Sequence, residues 1–393
     1  MTRLKIIPLL SLLVLVLAIL GGAAWLYLRP EIGGGGGGKS AKFAPRTKAN
    51  WPVGYQLPIE AQAEYDRVIL VSIDTLRADH LSSNGYQRRT TPFLDGLARQ
   101  GVSFQRAVAS VSHTAPSHAT MMTGLAPAEH GVVINGLTLS DDAQDLASMF
   151  GDAGYETAAF LNVRFLSGIT KNFDKSISAP KRGGGVVESA RRWLESERSS
   201  ERFFMWVHLY DPHHWKDVKR TPKRELDALR KHDKMSRDEL YAYFEELHSL
   251  KPQIEGEPFD LGWVVEIKNS HRIPTRSRDD YLDFVDAYDA QIFYADRLVR
   301  SLYQTVEDLD LPGRTLWIIT SDHGEGLASH QIAGHGGRIY QEQLLVPLIF
   351  HASDGGLGGQ GGRRVENLVQ HIDLYPTLAA TCLLYTSPSP RDS

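Results

Sequence analysis

The sequence predicts an α/β fold, a large and mostly parallel sheet with helices on both faces. Nearly continuous apolar runs at residues 67–73, 203–209 and 315–320 read as strands buried on both sides. Amphipathic helical segments separate these runs, and such alternation is what crossover-connected parallel strands require. About 330 residues remain once the two chain ends are set aside, enough for one large core.

In chain order, the strand at 68–73 leads to a helix over 91–100 that Gly101 stops, since glycine leaves a helix at little steric cost. A strand over 104–109 precedes a helix that begins near Thr114. Residues 146–153 form a helix closed by Gly154, and 157–161 a strand. A helix over 186–198 feeds the strand 203–209. Residues 216–278 form a charged insertion, helical over 225–250, expected to cover the site and set substrate choice. A long amphipathic helix over 279–309 then leads into the strand 315–320, and 346–350 supplies a further buried strand. No internal repeat is evident.

Chemistry gathers at the carboxyl ends of these strands, where open α/β sheets hold their ligands. The first strand delivers Asp74; the strand at 315–320 delivers Asp322 and His323. Between them lies Thr114-Ala-Pro-Ser-His-Ala-Thr-Met-Met-Thr-Gly124, which puts a hydroxyl where a nucleophile is needed. A divalent metal on Asp74, Asp322 and His323, with Thr114 as a further oxygen ligand, would activate that otherwise poor nucleophile. A helix N-terminus at Thr114 also favours an anion such as a phosphate or sulfate ester. The simpler use of Thr114, as a helix N-cap, stays open at this stage.

Three separated motifs resemble the sulfatase-like branch of the alkaline phosphatase superfamily: Ser72-Ile-Asp-Thr-Leu-Arg-Ala-Asp79, the block 114–124 with Ala126-Pro-Ala-Glu-His-Gly131, and Ser321-Asp-His-Gly-Glu325. Weaker matches extend the resemblance over residues 66–381, the expected catalytic domain. It implies an alkaline-phosphatase-like sandwich. It further implies that Asn135 donates its amide to a non-bridging oxygen, that His118 stands in for the usual anion-binding Arg, and that His335 contacts the ester. His208 and His213 resemble leaving-group or anion-binding histidines, with His335 or His208 protonating the leaving oxygen.

Two departures from the family pattern carry weight. Sulfatases that form formylglycine have Cys or Ser at the position of Thr114, so no formylglycine is expected here, and phosphoesters are favoured over sulfate esters. The first turn has Asp74-Thr75 where many sulfatases pair two aspartates, and His323 stands where many have Asn. The resulting set is too rich in nitrogen for calcium, so Mn, Zn or Mg is expected. The readings that stay open are a formylglycine-independent sulfatase, a phosphoglycerol- or phosphoethanolamine-type transferase, and a catalytically silent envelope binding protein.

Expected partners are a phosphorylated or sulfated small molecule, lipid or glycan. A formal net charge of −4 argues against nucleic acid. Residues 1–30 read as a transmembrane signal-anchor with the catalytic part outside the cytoplasm, and 31–65 as a Gly-rich flexible linker. Cleavage near residues 21–24 is the alternative for that segment. Residues 382–393 resemble the translation of a transposase adapter used in DNA sequencing libraries. The native chain is therefore expected to continue past Thr381 into a small C-terminal subdomain that is largely missing here. The single cysteine, Cys382, falls in this stretch.

Overall fold

The computed structural model describes residues 65–178, 182–250, 264–267, 271–274, 276–354, 357 and 361–383. The expected membrane anchor, all of the linker but Tyr65, and residues 384–393 lie outside the described residues. Among the described residues no helix is long and apolar enough to cross a membrane.

Ten strands are described: β1 Arg67–Ile73, β2 Val102–Val108, β3 Glu156–Leu161, β4 Lys175–Ser178, β5 Phe203–Leu209, β6 Val264–Ile267, β7 His271–Pro274, β8 Thr315–Thr320, β9 Leu345–Ala352 and β10 Arg363–Gln370. The principal helices are α1 Pro92–Gln100, α2 Thr114–Thr123, α3 Leu146–Asp152, α4 Gly183–Arg192, α5 Lys223–His232, α6 Arg237–Leu247, α7 Arg278–Asp308 and α8 Leu374–Leu383. Eight strands form one sheet in the order β10-β2-β9-β8-β1-β5-β3-β4. Only β9 runs against its neighbours, so the sheet is mostly parallel, as its apolar runs require.

Side-chain parity shows which helices cover which face. Ile69, Val71, Met205, Val207, Trp317 and Ile319 join the core beneath α1, α4 and α7. Residues of the opposite parity meet the other helices: Phe204 stacks on Phe150 of α3 at 4.6 Å, and Trp206 meets His118 of α2 at 5.0 Å. Helices therefore cover both faces. Gly101, the stop of α1, is required by close approach: a Cβ there would lie 2.0 Å from the Phe350 carbonyl oxygen.

The insertion differs from the expected single helix over 225–250. It breaks into α5 and α6, because Ser236 and Glu239 form a reciprocal capping box that starts a new helix. The helix expected over 186–198 begins three residues earlier, at Gly183, and ends in a π-type turn, Trp193–Glu197. The strands β4, β6, β7 and β10 and the helix α8 are not among the expected elements.

Candidate active site

Three adjacent strands build the site. β5, β1 and β8 lie side by side with Ser72 level with His208 and Thr320, and the chain leaves all three at the same end. Asp74 follows β1 and donates its N–H to the Leu209 carbonyl at 2.9 Å. Thr75 then adopts φ +57, a left-handed conformation costly for a β-branched residue. Two contacts hold it: Tyr288 on α7 donates to the Thr75 carbonyl at 2.6 Å, and the Thr75 N–H donates to Asp322 Oδ1 at 3.2 Å. The turn after β1 is thereby tied to the turn after β8.

The ligand atoms of Asp74, Asp322 and His323 lie within 4.8 Å of one another, and all three side chains are fully buried. His323 Nδ1 is 2.9 Å from the Gly324 carbonyl, which can only accept, so Nδ1 carries the hydrogen and Nε2 presents a lone pair. Asp74 Oδ1 and Asp322 Oδ2 have no hydrogen-bond partner. Burial, and then the neighbouring Asp322 charge, push the Asp74 carboxyl well above the usual carboxylate range. Buried acceptors without donors, converging with an imidazole lone pair, are what a bound cation satisfies. The donor set of carboxylates, hydroxyl and imidazole fits a divalent metal.

Thr114 is the first residue of α2, not its N-cap; His113 holds that position in extended conformation. The Thr114 hydroxyl turns instead toward the cluster, 3.4 Å from Asp74 Oδ2 and 3.3 Å from His323 Nε2. Asn135 sits beside it. Its Oδ1 accepts from the Ala115 N–H at 2.8 Å, which leaves the amide hydrogens for another acceptor.

His335 packs against His323 with ring centroids 4.3 Å apart. Its Nδ1 bonds Glu325 Oε1 at 3.1 Å, so Glu325 fixes the ring and leaves Nε2 available. Burial alone would raise the Glu325 carboxyl, but His335 beside it holds it well below the usual range. Trp215 Nε1–H also donates to Glu325, at 2.7 Å. His213 lies 5.1 Å from His335 and stacks on Tyr210 at 4.2 Å; burial, and then His335, hold its pKa well down.

His208 and His118 sit deeper. His208 contacts Ser72 Oγ through Nδ1 at 3.0 Å and Asp74 Oδ2 through Nε2 at 3.4 Å. His118 donates from Nδ1 to the Thr114 carbonyl at 2.7 Å and meets Ser72 Oγ through Nε2 at 2.9 Å. Both ring nitrogens of His118 are thus occupied by protein, and the side chain is fully buried. Neither ring nitrogen of His118 is left for the anion-binding role expected of it; the ring anchors the Thr114 carbonyl instead.

The structure therefore gathers Asp74, Thr114, Asn135, His208, His213, Asp322, His323 and His335 in one region, with His118 behind them. Sequence reasoning missed Ser72, Glu325 and Tyr288. Glu325 stood inside a quoted motif without a role; a serine within an apolar strand was the available signal for Ser72.

A family model described as Sulfatase matches residues 66–181 and 184–382. An endo-4-O-sulfatase of Bacteroides thetaiotaomicron is 22% identical over 382 residues, covering 82% of this chain and 70% of that one. The multifunctional alkaline phosphatase superfamily protein PehA of Trinickia caryophylli is 24% identical over 384 residues, covering 79% and 72%. Among solved structures, a phosphonate monoester hydrolase of Agrobacterium radiobacter aligns with a TM-score of 0.57 at 20% identity, covering 80% of this chain and 73% of that one. The C-terminal periplasmic domain of EcEptC from Escherichia coli, in complex with Zn, aligns with a TM-score of 0.57 at 17% identity, covering 82% and 84%. Both likenesses are of fold.

Proposed function

The chain belongs to the sulfatase family and is a sulfatase-like hydrolase, and from that premise we propose that it cleaves phosphate or sulfate esters through a threonine nucleophile, phosphoesters in preference. The observation that carries this reading is the position of the Thr114 hydroxyl between Asp74 Oδ2 and His323 Nε2, inside a buried carboxylate pair. Asp74, Asp322, His323 and Thr114 would hold the metal, with Mn, Zn or Mg preferred to Ca. When bound, such an ion lowers the hydroxyl pKa and polarises an ester oxygen.

Thr114 Oγ1, having lost its hydroxyl proton to solvent, attacks phosphorus or sulfur, forming the Oγ1–P or Oγ1–S bond while the bond to the leaving oxygen breaks. The Asn135 amide hydrogens bind a non-bridging oxygen. His335, oriented by Glu325, supplies a proton to the leaving oxygen from Nε2. Water then attacks the threonine ester and releases the acid; a lipid or glycan hydroxyl taking the place of water would make the same site a transferase. His213, packed beside His335, lines the leaving-group side. A silent binding protein has no need of a nucleophile, an unsatisfied carboxylate pair and an oriented histidine assembled together. The apolar run at residues 6–28 supports a membrane-anchored enzyme with its catalytic part outside the cytoplasm.

A panel of chromogenic phosphomonoesters, phosphodiesters and sulfate esters, assayed with each metal in turn, tests the reading. Turnover of phosphoesters that needs Thr114 supports it. Full turnover by Thr114→Ala, or by protein stripped of metal, would overturn it.

A further inference from the structure

The loop that carries Asn135 is tied to the nucleophile's helix twice. One tie is Asn135 itself, whose Oδ1 accepts from the Ala115 N–H at 2.8 Å, one residue past Thr114. The other is His130, the last residue of a short helical turn, Pro127–His130, after which Gly131 reverses the chain at φ +77. His130 Nδ1 lies 3.1 Å from the Val132 backbone nitrogen, and Nε2 lies 3.1 Å from the Thr120 hydroxyl on α2. Residues 133–138 are then exposed. The chain is caught again at Leu139, whose N–H donates to the Gly168 carbonyl at 3.2 Å.

Chemistry fixes the hydrogen of this ring. A backbone N–H can only donate, so Nδ1 accepts from Val132 and the ring's own hydrogen sits on Nε2, where it reaches Thr120 Oγ1. A hydrogen on Nδ1 would face the Val132 N–H and leave a buried donor unpaired. His130 and Val132 are both buried, and burial holds the His130 pKa down to about 4, so the ring is neutral. The imidazole therefore spans from α2 to the first residues of the loop. Ala115 and Thr120, the two attachment points, belong to the helix that begins at Thr114.

We propose that His130 is a positioning residue: by accepting the Val132 N–H while bound to α2, it holds the Asn135 loop where the Asn135 amide meets the ester that Thr114 attacks. The inference rests on the role proposed for Asn135 and goes beyond it by naming what keeps that amide in place. Asn135 is exposed, and one hydrogen bond from an exposed side chain contributes little order by itself. A second, buried attachment three residues upstream supplies the rest. The accuracy matters, because misplacing a binding group by about 1 Å costs roughly a hundredfold in rate.

The test is a double-mutant cycle in the full chain, read as kcat/KM for p-nitrophenyl phosphate and its bis ester with Mn(II) present. Asn135→Ala should lose about a hundredfold, the cost of one donor to a developing oxyanion. His130→Gln keeps an amide for Thr120 but no acceptor for Val132; it should lose about tenfold or more, as misplacement of a binding group does. In the Asn135→Ala background the same change should lose nothing further. His130→Asn, whose Oδ1 falls where Nδ1 stood, should recover most of the loss. Losses that multiply in the double variant, or a His130→Asn as impaired as His130→Gln, mark a merely structural histidine and overturn the inference alone. A wild type that cleaves neither ester, or Asn135→Ala at wild-type turnover, overturns the underlying reading and the inference with it. Nitrogen NMR of isotope-labelled wild type decides even where His130→Gln does not fold. The His130 signals, identified by their loss in His130→Asn, should show the hydrogen on Nε2, and a hydrogen on Nδ1 overturns the inference.

Discussion

Replacing Asp74 by Asn should stabilise the metal-free protein and abolish its response to metal, two effects of opposite sign from one substitution. The candidate ligand atoms of Asp74, Asp322 and His323 lie within 4.8 Å of one another. Two full negative charges at the outer limit of that range repel by about 3.5 kcal/mol at an effective dielectric constant near 20, and closer ones by more. Without metal, protonation relieves the strain: burial, and then Asp322, raise the Asp74 pKa well above its ordinary value. The folded protein then keeps a proton that the unfolded chain loses near pH 4, so wild-type stability falls as pH rises through the interval up to the folded pKa. Asn carries no such term. The metal-free variant should therefore gain on the wild type as pH rises, by about 3.5 kcal/mol or more at full ionisation. With metal at a hundred times its Kd, the wild type gains about 2.7 kcal/mol and the variant should gain almost none. Urea melts of chelated and Mn-loaded protein at pH 5 and pH 8 measure both effects. A metal-free variant less stable than wild type at pH 8, together with an intact metal response, would refute the reasoning.

Thr114→Ala should abolish turnover while leaving the circular dichroism spectrum and melting point near wild type, because alanine is at home in a helix; Thr114→Ser should keep part of the activity. Phosphoesters should be cleaved with a higher kcat/KM than matched sulfate esters, and a tenfold preference for sulfate, about 1.4 kcal/mol of barrier, would replace the phosphoester reading. Asp296 accepts from the N–H groups of Phe93 and Leu94 at the start of α1, and burial pushes its carboxyl up to about 7. Its raised folded pKa costs stability as pH rises from about 4 to 7, so Asp296→Asn should flatten that part of the stability profile, by at most about 4 kcal/mol; an unchanged profile in denaturant melts would contradict the assignment.

The strands that carry the site were legible end to end. β1, β5 and β8 are buried along their whole length, so burial alone selects a continuous apolar run in each. β4 and β10 were not, because they are the two edges of the sheet and keep mostly exposed or half-buried side chains. The same physics divides the site. Asp74, Asp322 and His323 were readable because polar residues directly after an apolar strand fall into the crevice at the sheet's end. The direction of the His118 ring was not readable, since motif position places the residue near the cluster but does not say where its nitrogens turn. Both its nitrogens are spent on Thr114 and Ser72, a pairing that only the packing of α2 on the sheet creates. Ser72 looked like a neutral interruption of an apolar strand. A buried hydroxyl nonetheless requires partners, and those partners, His118, Trp206 and His208, come from α2 and β5 far along the chain. The hydroxyl was visible in the sequence. Its bonding was not, because it is a property of three elements meeting and of none of them alone.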